Sequence, residues 1–344
     1  MKFAPKLLLS VLFAGAAMSA SAVTYTSMVV FGDSLSDPGN AMLLTGGTPA
    51  GLASFGHIVD AQGHFSNGPT AAEYLADALS GQANSTTKGW GAIDPTKFSV
   101  NYAVGGALSG SGHIYDAYLP TLVGTGVASQ ISKYSPGAGL NASSTLFMVQ
   151  GGANDFFQAF NVLPSLSTVD QSALIGMTIN NVTNNMATNI FNLGMKGASN
   201  ILWLDMPDLG LTPMAAAGGA AFQGLASNLS ASFNSVLAAK IAAVDASLDA
   251  IRGYDVNVFG VSESAFLQAA AASPTSSMSN PCVFVPGALP NCNGLFFYDG
   301  VHPTTATHAA FAQQLITAAV PEPEMWLLMM VGVGIVGLRA RRKA

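Results

Sequence analysis

The 344 residues are half hydrophobic and only 9% charged. That composition supplies a sizeable core and excludes a disordered chain. Residues 23–320 hold six Lys or Arg against sixteen Asp or Glu, and a body of that charge repels nucleic acid and argues against it as a partner.

Residues 1–22 read as a secretory signal peptide. Lys2 and Lys6 precede an apolar stretch, and Ala20-Ser21-Ala22 forms an A-x-A cleavage site. The β-branched apolar run 28–31 then stops abruptly at Gly32-Asp33-Ser34. It predicts a buried strand ending in a tight turn that presents a serine hydroxyl. Ligands of open α/β sheets collect at the carboxyl ends of strands, so Ser34 stands where a nucleophile is expected.

Residues 37–68 are polar and glycine-rich without a helical period, which predicts a long loop on the Ser34 side, with His57 and His64 as surface histidines. A helix over 69–79 follows, with Pro69 at its start. The second strand, 99–104, ends in Gly105-Gly106-Ala107. Paired glycines let backbone N–H groups approach a ligand, although on this stretch alone a simple turn between strand and loop is the better account. His113 lies in the loop beyond with nothing beside it to mark a role.

The third strand, 145–150, runs into Gly151-Gly152-Ala153-Asn154-Asp155. Long helices over 165–194 and 220–251 keep apolar residues at helical spacing, and strands at 201–204 and 256–259 follow them in turn. Strands alternating with long helices require crossover connections. They predict an α/β fold with a mostly parallel five-stranded sheet and helices on both faces. A short helix follows Ser262. Cys282 and Cys292, an even count in an exported chain, predict a disulfide across a proline-rich loop. A metal pair is not indicated, since neither C-x-x-C spacing nor nearby histidines are present. Asp299-Gly300-Val301-His302-Pro303 precedes a last helix over 305–318.

The C-terminal end reads Pro321-Glu322-Pro323, an uncharged run over 325–338, and the basic cluster Arg339-Ala340-Arg341-Arg342-Lys343. As a helix the run spans about 21 Å, short of a hydrocarbon core of about 30 Å. These three parts in order resemble the PEP-CTERM sorting signal of Gram-negative bacteria. That resemblance implies export, a transient inner-membrane association, and an exosortase-type processing enzyme as partner. A plain C-terminal membrane anchor is the alternative.

Serine hydrolysis needs an exposed hydroxyl, a neutral imidazole, a carboxylate to orient it, and donors for the developing oxyanion. Ser34, His302 and Asp299 are the first three. The Gly106 N–H, the Asn154 amide and the Ser34 N–H are candidates for the fourth. No G-x-S-x-G elbow, phosphate loop, zinc helix or cofactor fingerprint is visible, so neither cofactor nor metal is expected.

The segments Gly32-Asp33-Ser34-Leu35, Asn101-Tyr102-Ala103-Val104-Gly105-Gly106-Ala107, Gly152-Ala153-Asn154-Asp155 and Asp299-Gly300-Val301-His302-Pro303 resemble, in order, the four blocks of the GDSL or SGNH esterase/lipase family. The similarity covers about residues 26–316 and implies a flavodoxin-like three-layer sandwich that acts on carboxylic esters. It makes Ser34 the nucleophile, His302 the base and Asp299 its partner. Gly106 and Asn154 join the Ser34 N–H in the oxyanion hole; Gly106 is taken over Gly105 because it lies five residues after Asn101, as in the family. His64 stands where many relatives carry Arg. Asp33, Asp37 and Asp155 read as hydrogen-bonding groups of turns and loops. Alternatives are acyl transfer, deacetylation of a polysaccharide by the same site, or a non-catalytic matrix protein.

Overall fold

Six strands form one sheet in the computed structural model, which describes residues 24–54, 56–135, 143–273 and 278–320. They are β1 (Ser27–Phe31), β2 (Thr86–Lys88), β3 (Ser99–Asn101), β4 (Thr145–Val149), β5 (Asn200–Leu204) and β6 (Asn257–Val261). Their order is β2-β3-β1-β4-β5-β6, and every pairing is parallel. Val29 of β1 sits opposite Val100 of β3 and Phe147 of β4.

The sequence predicted five strands, so β2 is a correction. It is three residues long, reads Thr-Thr-Lys and lies at the sheet edge. An edge strand of three polar residues, of which only Thr87 is buried, carries no apolar run to betray it. β1 and β4 are the opposite case. They lie in the middle of the sheet and are buried almost throughout, which is why each reads as a continuous apolar run.

Ten helices are named among the described residues: α1 (Asn40–Leu44), α2 (Pro49–Ala53), α3 (Ala71–Ser80), α4 (Val127–Lys133), α5 (Ala153–Val162), α6 (Thr168–Met195), α7 (Pro213–Ala217), α8 (Ala220–Arg252), α9 (Glu263–Ala271) and α10 (Thr305–Ala319). Side chains alternate across the strands, so Val29 and Phe31 point to one face. There they join Phe147, Ile190 of α6 and Phe233 of α8 in the largest core. On the other side α3 packs along α10, touching β1 and β6 respectively. Helices thus cover both faces. α1 and α2 correct the prediction of a helix-free loop over 37–68; both are only five residues long, too short to show a 3.6-residue period.

The chain leaves β1, builds β2 and β3 on one side of it, then crosses to β4 on the other. The topological switch point therefore lies at the carboxyl end of β1. Ser34 follows β1, Gly106 follows β3 and Asn154 follows β4, so three neighbouring strands deliver them to one edge. His302 arrives from a different direction. Cys282 and Cys292 are joined as a disulfide, with their Cα atoms 5.3 Å apart. The Cys282 and Val283 amides donate to the carbonyls of Phe297 and Tyr298, which lead directly into Asp299.

The expected signal peptide, 1–22, and the apolar segment 325–338 lie outside the described residues. No helix among the described residues is long and apolar enough to cross a membrane.

Candidate active site

The turn after β1 is held from every side by side chains distant in sequence. Asp33 is buried, and its Oδ1 accepts the Leu35 N–H at 3.1 Å. The Gly32 N–H donates to Gln130 Oε1 at 2.8 Å, and Gln130 Nε2 donates back to the Gly32 carbonyl. Ser36 Oγ donates to Gln150 Oε1 at 2.7 Å, and Asn101 Nδ2 donates to the Ser36 carbonyl. Asp37, fully buried, accepts from the amides of Gly39, Asn40, Ala41 and Gly105. Burial pushes its carboxyl up to about 6, against the pull of those four amides. Asp155 accepts from the Ser109 N–H and Oγ. The three aspartates are thus the turn and loop groups their positions suggested.

Ser34 ends this turn half-buried, with Oγ 2.8 Å from His302 Nε2. His302 Nδ1 lies 2.7 Å from Asp299 Oδ2. Asp299 Oδ1 accepts the amides of Val301 and His302, so a three-residue turn fixes the carboxylate against the ring. Burial works to raise the Asp299 pKa, but His302 and those amides prevail and hold it below the usual carboxylate value. Asp299 is therefore an acceptor, the Nδ1 of a neutral His302 carries the hydrogen, and Nε2 is left to accept the Ser34 O–H. For His302 itself burial opposes the charge, yet Asp299, with a further contribution from Asp33, raises its pKa above 6.5.

Asn154 lines the same pocket as Ser34 and His302. Gly152 has φ +110 and caps α5, and a Cβ there would meet Val182 Cγ1 at 2.8 Å. That glycine turn starts α5 one residue before Asn154. The buried Asn154 amide gives one hydrogen to the Ala107 carbonyl at 3.0 Å, which leaves its second hydrogen uncommitted among the described residues. Gly105 and Gly106 differ sharply. The Gly105 N–H is spent on Asp37 Oδ2 at 2.8 Å. Among the described residues no acceptor takes the N–H of Gly106 or of Ser34.

Beside Ser34, His302 and Asn154 lies a pocket lined largely by apolar side chains such as Leu35, Phe157, Leu209, Leu267 and Phe297. Glu263, at the start of α9, also lines it. Gln150 Nε2 donates to Glu263 Oε2 at 2.7 Å. Burial, then the nearby carboxylates of Asp205 and Asp33, raises the Glu263 pKa well above its ordinary value. No sequence signal pointed to Glu263, Gln130 or Gln150, since one acid at a helix start and two glutamines are commonplace.

Two histidines correct the expectation of surface positions. His64 is 4% exposed, with Nδ1 2.7 Å from Asp60 and Nε2 3.2 Å from Glu73. Burial opposes its charge, but both carboxylates raise its pKa to about 10. His57 is half-buried beside the cleft. Its ring packs edge-on to Phe65, which in turn packs on His302 at 5.3 Å, and its Nε2 lies 2.8 Å from the Tyr115 hydroxyl. Burial drives His57 down to about 4, so it is neutral at pH 7.

Residues 28–315 match the profile of the family described as GDSL-like Lipase/Acylhydrolase. The chain belongs to this family. Residues 319–343 match the PEP-CTERM protein-sorting motif. Two curated relatives, each called Esterase EstA, come from Pseudomonas aeruginosa and Pseudomonas putida. Each is 29% identical over 311 residues, covering 81% of this chain and 44% of the relative. The chain thus spans less than half the length of these relatives. Among solved structures, phospholipase A1 from Streptomyces albidoflavus NA297 aligns at a TM-score of 0.41 and 16% identity, over 86% of this chain and 99% of that one.

Proposed function

We propose that this chain is an exported carboxylic-ester hydrolase that works through an acyl-enzyme on Ser34. The observation that carries the reading is the continuous line Ser34 Oγ, His302, Asp299, with contacts of 2.8 and 2.7 Å. Family membership and the two esterase relatives support the reaction class. The sorting motif supports export, with removal of the tail by an exosortase-type enzyme after transient association with the inner membrane.

In the proposed mechanism Ser34 Oγ attacks the ester carbonyl carbon while its proton passes to His302 Nε2. The carbonyl oxygen becomes an oxyanion among the Ser34 N–H, the Gly106 N–H and the Asn154 amide. Asp299 stabilises the imidazolium. His302 then protonates the departing alkoxide, the C–O bond breaks, and the acyl group remains on Ser34. Water repeats the sequence with His302 as base, releasing the acid and restoring Ser34. The apolar pocket beside Ser34 favours an alkyl acyl group over an acetylated sugar in this site.

The test is hydrolysis of p-nitrophenyl acetate and butyrate by the purified chain and its Ser34→Ala variant. The reading requires turnover by the wild type, faster on butyrate, and its loss in the variant. A wild type inert on both esters, or a variant equal to it, would contradict the reading.

A further inference from the structure

Gly105 and Gly106 share one peptide unit, and that unit is gripped from the loop beyond it. The buried His113 ring places Nε2 2.6 Å from the Gly105 carbonyl oxygen. Its other nitrogen, Nδ1, lies 3.0 Å from the Tyr115 backbone nitrogen. A backbone N–H can only donate, so Nδ1 is the acceptor, and Nε2 carries the hydrogen that Gly105 O receives. Burial lowers the His113 pKa and keeps this neutral tautomer in place. A trans peptide is planar, with its C=O and N–H on opposite sides. Fixing the direction of the Gly105 carbonyl therefore fixes the direction of the Gly106 N–H.

A second observation ties the ring to the same glycine. Gly106 has φ +86, and a Cβ there would meet His113 Nε2 at 2.5 Å and Cε1 at 2.6 Å. The imidazole occupies the space a side chain would need. The loop also closes back on this unit. The Ile114 N–H donates to the Gly106 carbonyl, the Leu108 N–H donates to the Gly112 carbonyl, and Ala107 bridges His113. Together with Asp37 on the Gly105 N–H, these contacts leave the Gly106 N–H as the donor of this turn that is not taken up within the described fold.

We infer that His113 is a positioning residue for the oxyanion hole: its Nε2–H holds the Gly105 carbonyl so that the Gly106 N–H points at the carbonyl oxygen of the ester. His113 touches no reacting atom in this role and exchanges no proton. The inference rests on the hydrolase reading above and goes beyond it, since nothing in the arrangement of Ser34, His302 and Asp299 requires a histidine at 113.

The experiment compares His113→Asn, His113→Gln and the wild type on p-nitrophenyl butyrate, with an alkyl boronic acid as transition-state mimic. Asn can still accept the Tyr115 N–H but is too short to reach Gly105 O; Gln carries an amide N–H that can. His113→Asn should lose about 10- to 100-fold in kcat with KM within about twofold. Its affinity for the boronic acid should fall in parallel with kcat/KM, and Gln should recover most of both. An Asn variant that retains wild-type kcat, or one whose loss appears in KM alone, would overturn the inference. So would a Gln variant that folds with wild-type thermal stability yet is as slow as Asn, which also decides the matter if Asn does not fold. A wild type that hydrolyses no ester would instead defeat the hydrolase reading itself.

Discussion

Asp37 Oδ2 lies 2.8 Å from the Gly105 amide nitrogen, although 68 residues separate the two in the chain. The same carboxylate receives the amides of Gly39, Asn40 and Ala41, so the turn after β1 and the turn after β3 share one buried anion. Asp37→Ala leaves those buried amides without their acceptor. The variant should be less stable by about 1–3 kcal/mol, and its kcat should fall by more than that loss alone produces at 25 °C. Urea unfolding and steady-state kinetics measure both. A variant with normal kcat would detach Asp37 from the site.

Asn154→Ala removes one donor of the proposed oxyanion hole. Turnover on p-nitrophenyl butyrate should fall about 100- to 1000-fold with KM little changed. Because Asn154 also holds the Ala107 carbonyl, far-ultraviolet circular dichroism should accompany the kinetics. A folded variant with wild-type turnover would remove Asn154 from the mechanism.

The pH profile follows from His302. The base must be neutral, and Asp299 and Asp33 lift its pKa above 6.5 despite burial. The acid limb of kcat/KM should therefore lie above pH 6.5, with activity lost as pH falls through it. Asp33 is itself pushed up to about 6, first by burial, so it is charged over the upper part of that limb. Asp33→Asn removes its favourable field and should move the limb to lower pH. A limb that stays in place, or moves upward, would contradict this electrostatic account.

His64 provides a stability test away from Ser34. Its folded pKa of about 10 lies above the 6.5 expected of an unfolded histidine. A group raised in this way contributes its full stability below about pH 6.5 and loses it as pH rises through about 10. His64→Gln leaves Asp60 and Glu73 without their cation, and should cost about 3 kcal/mol at pH 6. The gap between wild type and variant should close by pH 10.5. Urea melts at both pH values read this directly, and a gap that does not depend on pH would exclude the ion pair.

The central part of this architecture was legible from local pattern. β1 and β4 are buried apolar runs cut off by glycine, and each cut places a functional group at the same sheet edge. Edge strand β2 was not legible, because three polar residues carry no burial signal. The helices α1 and α2 were too short to show their period. Of the site, Ser34, Asp299, His302 and Asn154 stood out because each sits in a glycine-bearing turn beside a strand or terminal helix. The choice of Gly106 over Gly105 rests on resemblance to the family; in the fold the Gly105 N–H is taken up by Asp37 Oδ2, a contact 68 positions away that no local pattern reveals. The hydrogen bonds of His113 to Gly105, Gln130 to Gly32 and Gln150 to Ser36 span 8, 98 and 114 positions. Nothing in their neighbouring sequence encodes those partners, so only the assembled fold reveals them.

In the proposed mechanism Ser34 is the residue that takes up the acyl group. Treatment of the purified chain with a fluorophosphonate, followed by peptide mass spectrometry, asks this directly. The predicted result is one phosphonylated residue, Ser34, with no labelling in His302→Ala at the same dose. Modification at any other serine while Ser34 stays unlabelled, or labelling of Ser34 at an equal rate without His302, would contradict it.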